Sequence, residues 1–161
     1  MATPMTLGTP LVEPGDSTDL DGVMTVMQAA FGDRFGEAWT RSQCAGILPM
    51  PGVSLTLART APGGAVAGFS LVRTVAGESE LLLIAVSPER QRHGIGTALL
   101  DDFLARARAA GVTRVHLEVR DGNDATLMYH AAGFAPVGRR RNYYRASDGR
   151  RFDALTFAKT V

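Results

Sequence analysis

Apolar positions change their period along the chain, and each change marks an element. The stretch "TLGTPLVEPGD" reads as a short strand ended by Pro14 and Gly15, after which Ser17 or Thr18 can cap a helix. Leu20, Val23, Met24, Met27 and Phe31 then recur at helical spacing, which predicts a helix with one buried face. "FGDRFGE" reads as a loop. A second short helix is expected to carry Trp39, Gln43 and Ile47 and to end at Pro51 and Gly52.

Period two takes over next. "VSLTLART" alternates, "APGG" is a hairpin turn, and "AVAGFSLVRTV" pairs back. "ESELLLIAV" returns as a third strand. Its LLLIAV run lacks polar alternation, as a central strand covered on both faces does. Leu99, Leu100, Phe103, Leu104 and Ala107 restore the helical stripe, which Gly111 closes. In "RVHLEV", Val115, Leu117 and Val119 share one face, and His116 and Glu118 share the other. Asn123 or Asp124 can cap a short helix with Leu127, Met128 and Tyr129, ended by Gly133. "FAPVGRRRNYYR" and "FDALTFAK" close the chain as an antiparallel hairpin. The sum is a mixed α/β sheet around one strand–helix–strand unit, Leu81 to Val119.

Composition narrows the class without naming it. The 161 residues suit one domain with a real core. A net charge of +1 leaves no strong field toward nucleic acid, so no direct nucleic-acid binding is expected. The apolar run Leu81 to Val86 is too short to cross a membrane, and "MATPMTLGTP" lacks the pattern of a secretory signal. One cysteine, Cys44, excludes an intrachain disulfide and a multi-cysteine metal site. A cytoplasmic monomer is expected.

Candidate chemistry begins at "RQRHGIGTALL", residues 90–100, where two glycines stand at the start of a helical stripe. The first amides of a helix lack partners and face a positive dipole end. Glycine lets an anion approach them. Gln91, Arg92, His93, Gly94, Ile95, Gly96 and Thr97 would present N–H groups there, with charge from Arg90 and Arg92. A dinucleotide fingerprint fails because position 99 is leucine, and no Gly-Lys-Ser/Thr run offers a Walker A loop. By itself this G-x-G reads first as a plain structural turn.

Gln91-x-x-Gly94-x-Gly96 after a buried strand resembles the pyrophosphate loop of the GNAT acetyltransferases, which bind acetyl-coenzyme A. The likeness runs from the first helix to the end and is strongest from Leu81 to Asp153. "LEVRDGNDATLMYHAAGF" followed by "RRNYY" is similar to the RimI branch of that family, the ribosomal-protein-alanine N-acetyltransferases. The resemblance implies one GNAT domain over residues 1–161. It implies a mostly antiparallel sheet of about seven strands, four helices and a splayed central strand pair. It implies acetyl-coenzyme A as co-substrate, no metal, and a protein N-terminus, that of a ribosomal protein, as acceptor.

It also implies roles. The backbone of Ile84, Ala85 and Val86 would bind the pantetheine arm, with an N–H near Val86 at the thioester carbonyl. Glu118 is the implied general base, against the plain reading of a strand glutamate that is solvated or paired to Arg120. Tyr129 is the implied general acid, against a packing aromatic. Asn123 is expected to bond the cofactor or simply to cap its helix. Trp39, Tyr143 and Tyr144, with the loop from Phe31 to Trp39, are expected to flank the acceptor. The family usually has a proline soon after "RRNYY"; here Arg145-Ala146-Ser147 replaces it, so this hairpin tip is expected to differ.

His93 and His116 lack partners at ligand spacing, and no Ser/His/Asp set is evident. Cys44 reads as a packed thiol rather than an acyl carrier. Arg139, Arg140, Arg141, Arg145, Arg150 and Arg151 make the last hairpin basic, as solvated faces often are. Two other functions stay open: a GNAT enzyme acting on a small amine or lysine side chain, and a non-catalytic acyl-coenzyme A sensor. A sensor would need neither Glu118 nor Tyr129.

Overall fold

The computed structural model describes residues 8–161, so Thr6 and Leu7 of the expected first strand lie outside the described residues. Strand β1 (Leu11–Gly15) includes Pro14 and ends at Gly15. Among the described residues it pairs on one side only, with β2 (Val53–Arg59), and Pro14 stands opposite Thr56. An edge strand has a free side, so a residue without an N–H is tolerated.

Helix α1 (Leu20–Phe31) follows a 3-10 turn over Ser17–Asp19. The turn, not α1 itself, is capped, and by Asp16 rather than Ser17 or Thr18. The Asp16 carboxylate accepts from the Thr18 amide at 2.8 Å, and Asp19 accepts from the Asp16 amide at 2.9 Å. Helix α2 (Arg41–Ile47) begins later than expected because Thr40 and Gln43 form a capping box, which leaves Trp39 outside the helix.

Strands β3 (Val66–Val75), β4 (Glu78–Val86) and β5 (Arg114–Arg120), with helix α3 (Ile95–Ala109) between the last two, follow the predicted order. Helix α4 (Ala125–Ala131) and the hairpin β6 (Ala135–Arg145) and β7 (Arg151–Thr160) complete the chain. The sheet order is β1-β2-β3-β4-β5-β7-β6, antiparallel except for β4 beside β5.

Two core layers sandwich this sheet. Leu20, Val23, Val26 and Met27 of α1 pack with Cys44, Leu55, Phe69 and Leu83 on one face. Leu100, Phe103 and Leu104 of α3 pack with Val115, Leu117, Tyr129 and Phe157 on the other. The LLLIAV run serves both faces through a bulge. Leu71 stands opposite Leu83 and Val72 opposite Leu81, so Leu82 is the extra residue. Leu81 therefore joins the α3 layer and Leu83 the α1 layer.

Candidate active site

The site follows from where β4 and β5 part. They pair from Glu78 with Arg114 to Leu81 with Leu117, and then stop. Beyond that point β4 stays with β3 up to Val86, while β5 stays with β7 up to Arg120. The bulge at Leu82 sits at the branch. A cleft of about 1230 Å³ opens there, between the α1–α2 loop, the start of α3, α4 and the β6 bulge.

Backbone groups face the gap. The Ser87 amide donates to the Ala67 carbonyl at 2.8 Å, across β3. Strand alternation then turns the amides of Ile84 and Val86 away from β3, toward the cleft. The Val86 carbonyl accepts from the Gln91 side chain at 3.1 Å, which ties the loop after β4 to the strand end.

That loop enters α3 through two left-handed residues, Arg92 at φ 62° and Gly94 at φ 80°. Only glycine adopts this conformation without cost, and Arg92 is held there. Among the described residues, the amides of residues 92–97 have no acceptor; the first satisfied amide is that of Ala98, on the Gly94 carbonyl at 2.9 Å. Gln91, Arg92, Gly94, Gly96 and Thr97 line the cleft. His93 is exposed, and the Ile95 side chain is 2% exposed in the core, so these two offer only their amides. A Cβ at Gly94 would meet open space, whereas one at Gly96 would stand 3.2 Å from the Met128 sulfur on α4.

Glu118 and Tyr129 line the same cleft from β5 and α4. Glu118 is 14% exposed, and its Oε1 lies 2.5 Å from the Arg140 Nε. Its partner is thus Arg140, not the adjacent Arg120. Tyr129 is 4% exposed and packs edge-on against Phe134. Burial, then the neighbouring Tyr144 and Glu37, push its phenol well above the ordinary tyrosine range, so it holds its proton. Burial and Glu37 do the same to Tyr144. The Tyr143 phenol is raised by burial and by Glu118.

Asn123 is engaged at both ends of its amide. Its Oδ1 accepts from the Ala125 amide at 2.9 Å as a helix cap, and its Nδ2 donates to Glu37 Oε2 at 2.9 Å. Glu37 also accepts from Arg120 Nε at 2.9 Å, with both side chains 11% exposed. The Arg120 guanidinium lies 3.7 Å from the centre of the Phe35 ring, which meets Phe152 edge-on. The loop holding Phe35 and Glu37 is expected at the site from the sequence, but neither residue is singled out there, and Arg120 figures only as a possible partner of Glu118. Their only signal is a contact between positions 83 residues apart. Trp39, Tyr143 and Tyr144 also line the cleft, which brings the loop and the aromatic pair to it.

Among the described residues no three His, Cys, Asp or Glu side chains gather as a metal site would require. Nor is any helix long and apolar enough to cross a membrane. The cleft thus joins a helix start with free amides, a strand edge with free amides, a carboxylate and a protonated phenol. Such a set can hold a phosphorylated, amide-bearing chain and move protons at its far end.

Known proteins resemble the chain in sequence and fold. The acetyltransferase (GNAT) family model matches residues 20–134. The ribosomal protein bS18-alanine N-acetyltransferase of Escherichia coli K12 is 41% identical over 99 residues, which are 61% of this chain and 66% of that protein. The N-alpha-acetyltransferase RimI of Mycobacterium tuberculosis is 47% identical over 102 residues, or 60% of this chain and 61% of that one. The matched stretch thus spans a little under two thirds of these relatives. The crystal structure of the E. coli ribosomal-protein-S18-alanine N-acetyltransferase superposes with a TM-score of 0.83 at 30% identity, covering 95% of this chain and 94% of that one.

Proposed function

The chain belongs to the GNAT acetyltransferase family, and on that premise we propose that it is an acetyl-coenzyme A dependent N-acetyltransferase acting on the α-amine of a protein N-terminus. The acceptor is the N-terminal alanine of a small-subunit ribosomal protein, as the names of its relatives suggest. The observation that carries this reading is the parting of β4 from β5, which gathers the free amides, Glu118 and Tyr129 around one cleft.

The residues fit the co-substrate. Six successive amides without acceptors suit a pyrophosphate, and Gly94 leaves the approach open. The β4 backbone from Ile84 to Val86 suits the amides of a pantetheine arm. When bound, acetyl-coenzyme A supplies the acetyl thioester.

The chain's own groups then divide the proton work. The Val86 N–H is free to donate to a carbonyl oxygen that gains charge. Glu118, directly or through a water, takes a proton from the attacking amine. An α-amine has a pKa of about 8, so one carboxylate suffices, whereas a lysine amine near 10.4 asks more. Tyr129 Oη holds the proton that the departing sulfur needs. Cys44 is buried among α1 side chains with its thiol pushed up by burial, which suits direct transfer in a ternary complex rather than an acyl-cysteine.

The test is mass spectrometry of peptides beginning with alanine or serine, incubated with enzyme and acetyl-coenzyme A. The expected product is acetylated at the α-amine, and blocking that amine stops turnover even with lysines free. Acetyl groups mainly on internal lysines, or turnover of small amines but of no peptide, would replace this acceptor.

A further inference from the structure

The ion pair between Arg140 and Glu118 has no part in the proton work above, yet it covers the group that does that work. The two residues share one sheet face. Glu118 stands opposite Thr156, which stands opposite Gly138; Arg120 stands opposite Ala154, which stands opposite Arg140. Directly opposed residues in antiparallel strands point to the same side. At these positions the strand between them carries Thr156 and Ala154 on that face, so nothing bulky stands between Arg140 and Glu118. The Arg140 side chain crosses this gap to 2.5 Å from Glu118 Oε1.

A bulge holds the arrangement. Between Arg140 and Tyr144, residues 141 to 143 of β6 oppose Asp153 alone. Asn142 is left-handed at φ 54°, and its amide donates to Asp153 Oδ1 at 2.9 Å. This swings Tyr143 beneath the guanidinium, whose carbon lies 5.6 Å from the ring centre. The two ends of the pair differ in exposure: Arg140 is 63% exposed and Glu118 is 14% exposed. The arginine can swing into water at little cost, but the carboxylate cannot leave.

We propose that Arg140 occupies the place of the acceptor's ammonium on Glu118, and that the acceptor binds by exchanging with it. A mostly covered carboxylate without a counter-ion is costly. The guanidinium supplies that counter-ion in the free enzyme, and the incoming α-ammonium supplies it in the complex. One cation replaces another, so only a cationic acceptor makes the exchange. Arg140 acts on the reaction only through Glu118 and touches no reacting atom. The inference rests on the assignment of Glu118 to the acceptor amine.

Calorimetric titration with an alanine-initiated peptide and with its Nα-acetylated form tests it, on wild type, Arg140→Met and Arg140→Lys, alongside steady-state kinetics. Arg140→Met is expected to tighten the free-amine peptide and lower its KM by about two- to fivefold, the size of a solvent-screened ion pair. Its KM for acetyl-coenzyme A and its affinity for the acetylated peptide should not move. Arg140→Lys restores competition and should return to wild-type values. An Arg140→Met enzyme that binds the free-amine peptide no better than wild type, or more weakly, overturns the exchange and makes the arginine a simple support. So does equal tightening of both peptides. If wild type turns over the peptide but Glu118→Gln does so equally well, the assignment of Glu118 fails, and the exchange with it. If wild type turns over no α-amine peptide, the acceptor reading itself has failed.

Discussion

In the proposed reaction Tyr129 keeps its proton until the sulfur departs, and Glu118 takes one from the amine. Burial raises the Tyr129 phenol above its ordinary value of 10.0, so the neutral, donating form persists as pH rises. The kcat of the proposed reaction should therefore show no fall from tyrosine ionisation up to about pH 10, as a stopped-flow or discontinuous pH profile would register. Tyr129→Phe and Glu118→Gln are each expected to lower kcat by about 10²-fold or more while leaving acetyl-coenzyme A affinity near wild type. A loss below tenfold in either would remove that residue from the proton work. Cys44 supplies the control. It is 2% exposed in the α1 layer, so Cys44→Ala should cost about 1 kcal/mol in a denaturant melt and leave turnover unchanged. Ping-pong kinetics would contradict this.

At the scale of elements, the start of α3 is proposed as the binding site because its amides have no other partner. Gly94 and Gly96 serve it differently. Gly94 needs its left-handed φ and borders open space, and Gly96 lets α4 pack closely through Met128. Gly94→Glu is expected to fold, with a modest strain penalty, and to lose acetyl-coenzyme A binding by calorimetry, because the carboxylate both fills and repels the anion site. Wild-type affinity in that folded variant would move the pyrophosphate elsewhere. Gly96→Glu should also block binding, but with a larger drop in melting temperature, since Met128 must shift. Both glycines were legible in the sequence as part of a motif. Their separate reasons were not, because Met128 lies on another element.

Across the whole molecule, the side of the cleft proposed for the acceptor is assembled from parts far apart in the chain. The α1–α2 loop lies on the β6–β7 hairpin. Phe35 meets Phe152, the Ser147 amide donates to the Asp33 carbonyl at 3.4 Å, and a Cβ at Gly36 would run into the Arg145 carbonyl. Glu37 then ties the loop to Arg120 and Asn123. Gly36→Ala must lift the loop off the hairpin. Its expected signature is a raised peptide KM and faster amide exchange at residues 32–38, with acetyl-coenzyme A affinity retained. Unchanged exchange in that loop would mean that its docking is not what shapes the acceptor side.

The sequence by itself determined the element order, the two-faced α3 stripe, the partition of β5 into core and cleft faces, and the glycine entry to α3. These are local: periodicity and short-range backbone preference decide them within about twenty residues. It also pointed to Glu118 and Tyr129, by resemblance rather than by chemistry. Local reading slipped where competing local partners decided the outcome, as at Asp16 over Ser17, and at Thr40, whose capping box moved the start of α2 past Trp39. Only the tertiary structure decided which carboxylate meets which arginine. Glu118 could pair with Arg120 two residues away, but alternation along a strand leaves that choice open. The register of β7 between β5 and β6 settles it by delivering Arg140 to Glu118 and leaving Arg120 to Glu37. Charge pairing depends on distance in space, and the distance is fixed by strand order, a bulge and a docked loop, none of which a one-dimensional pattern contains.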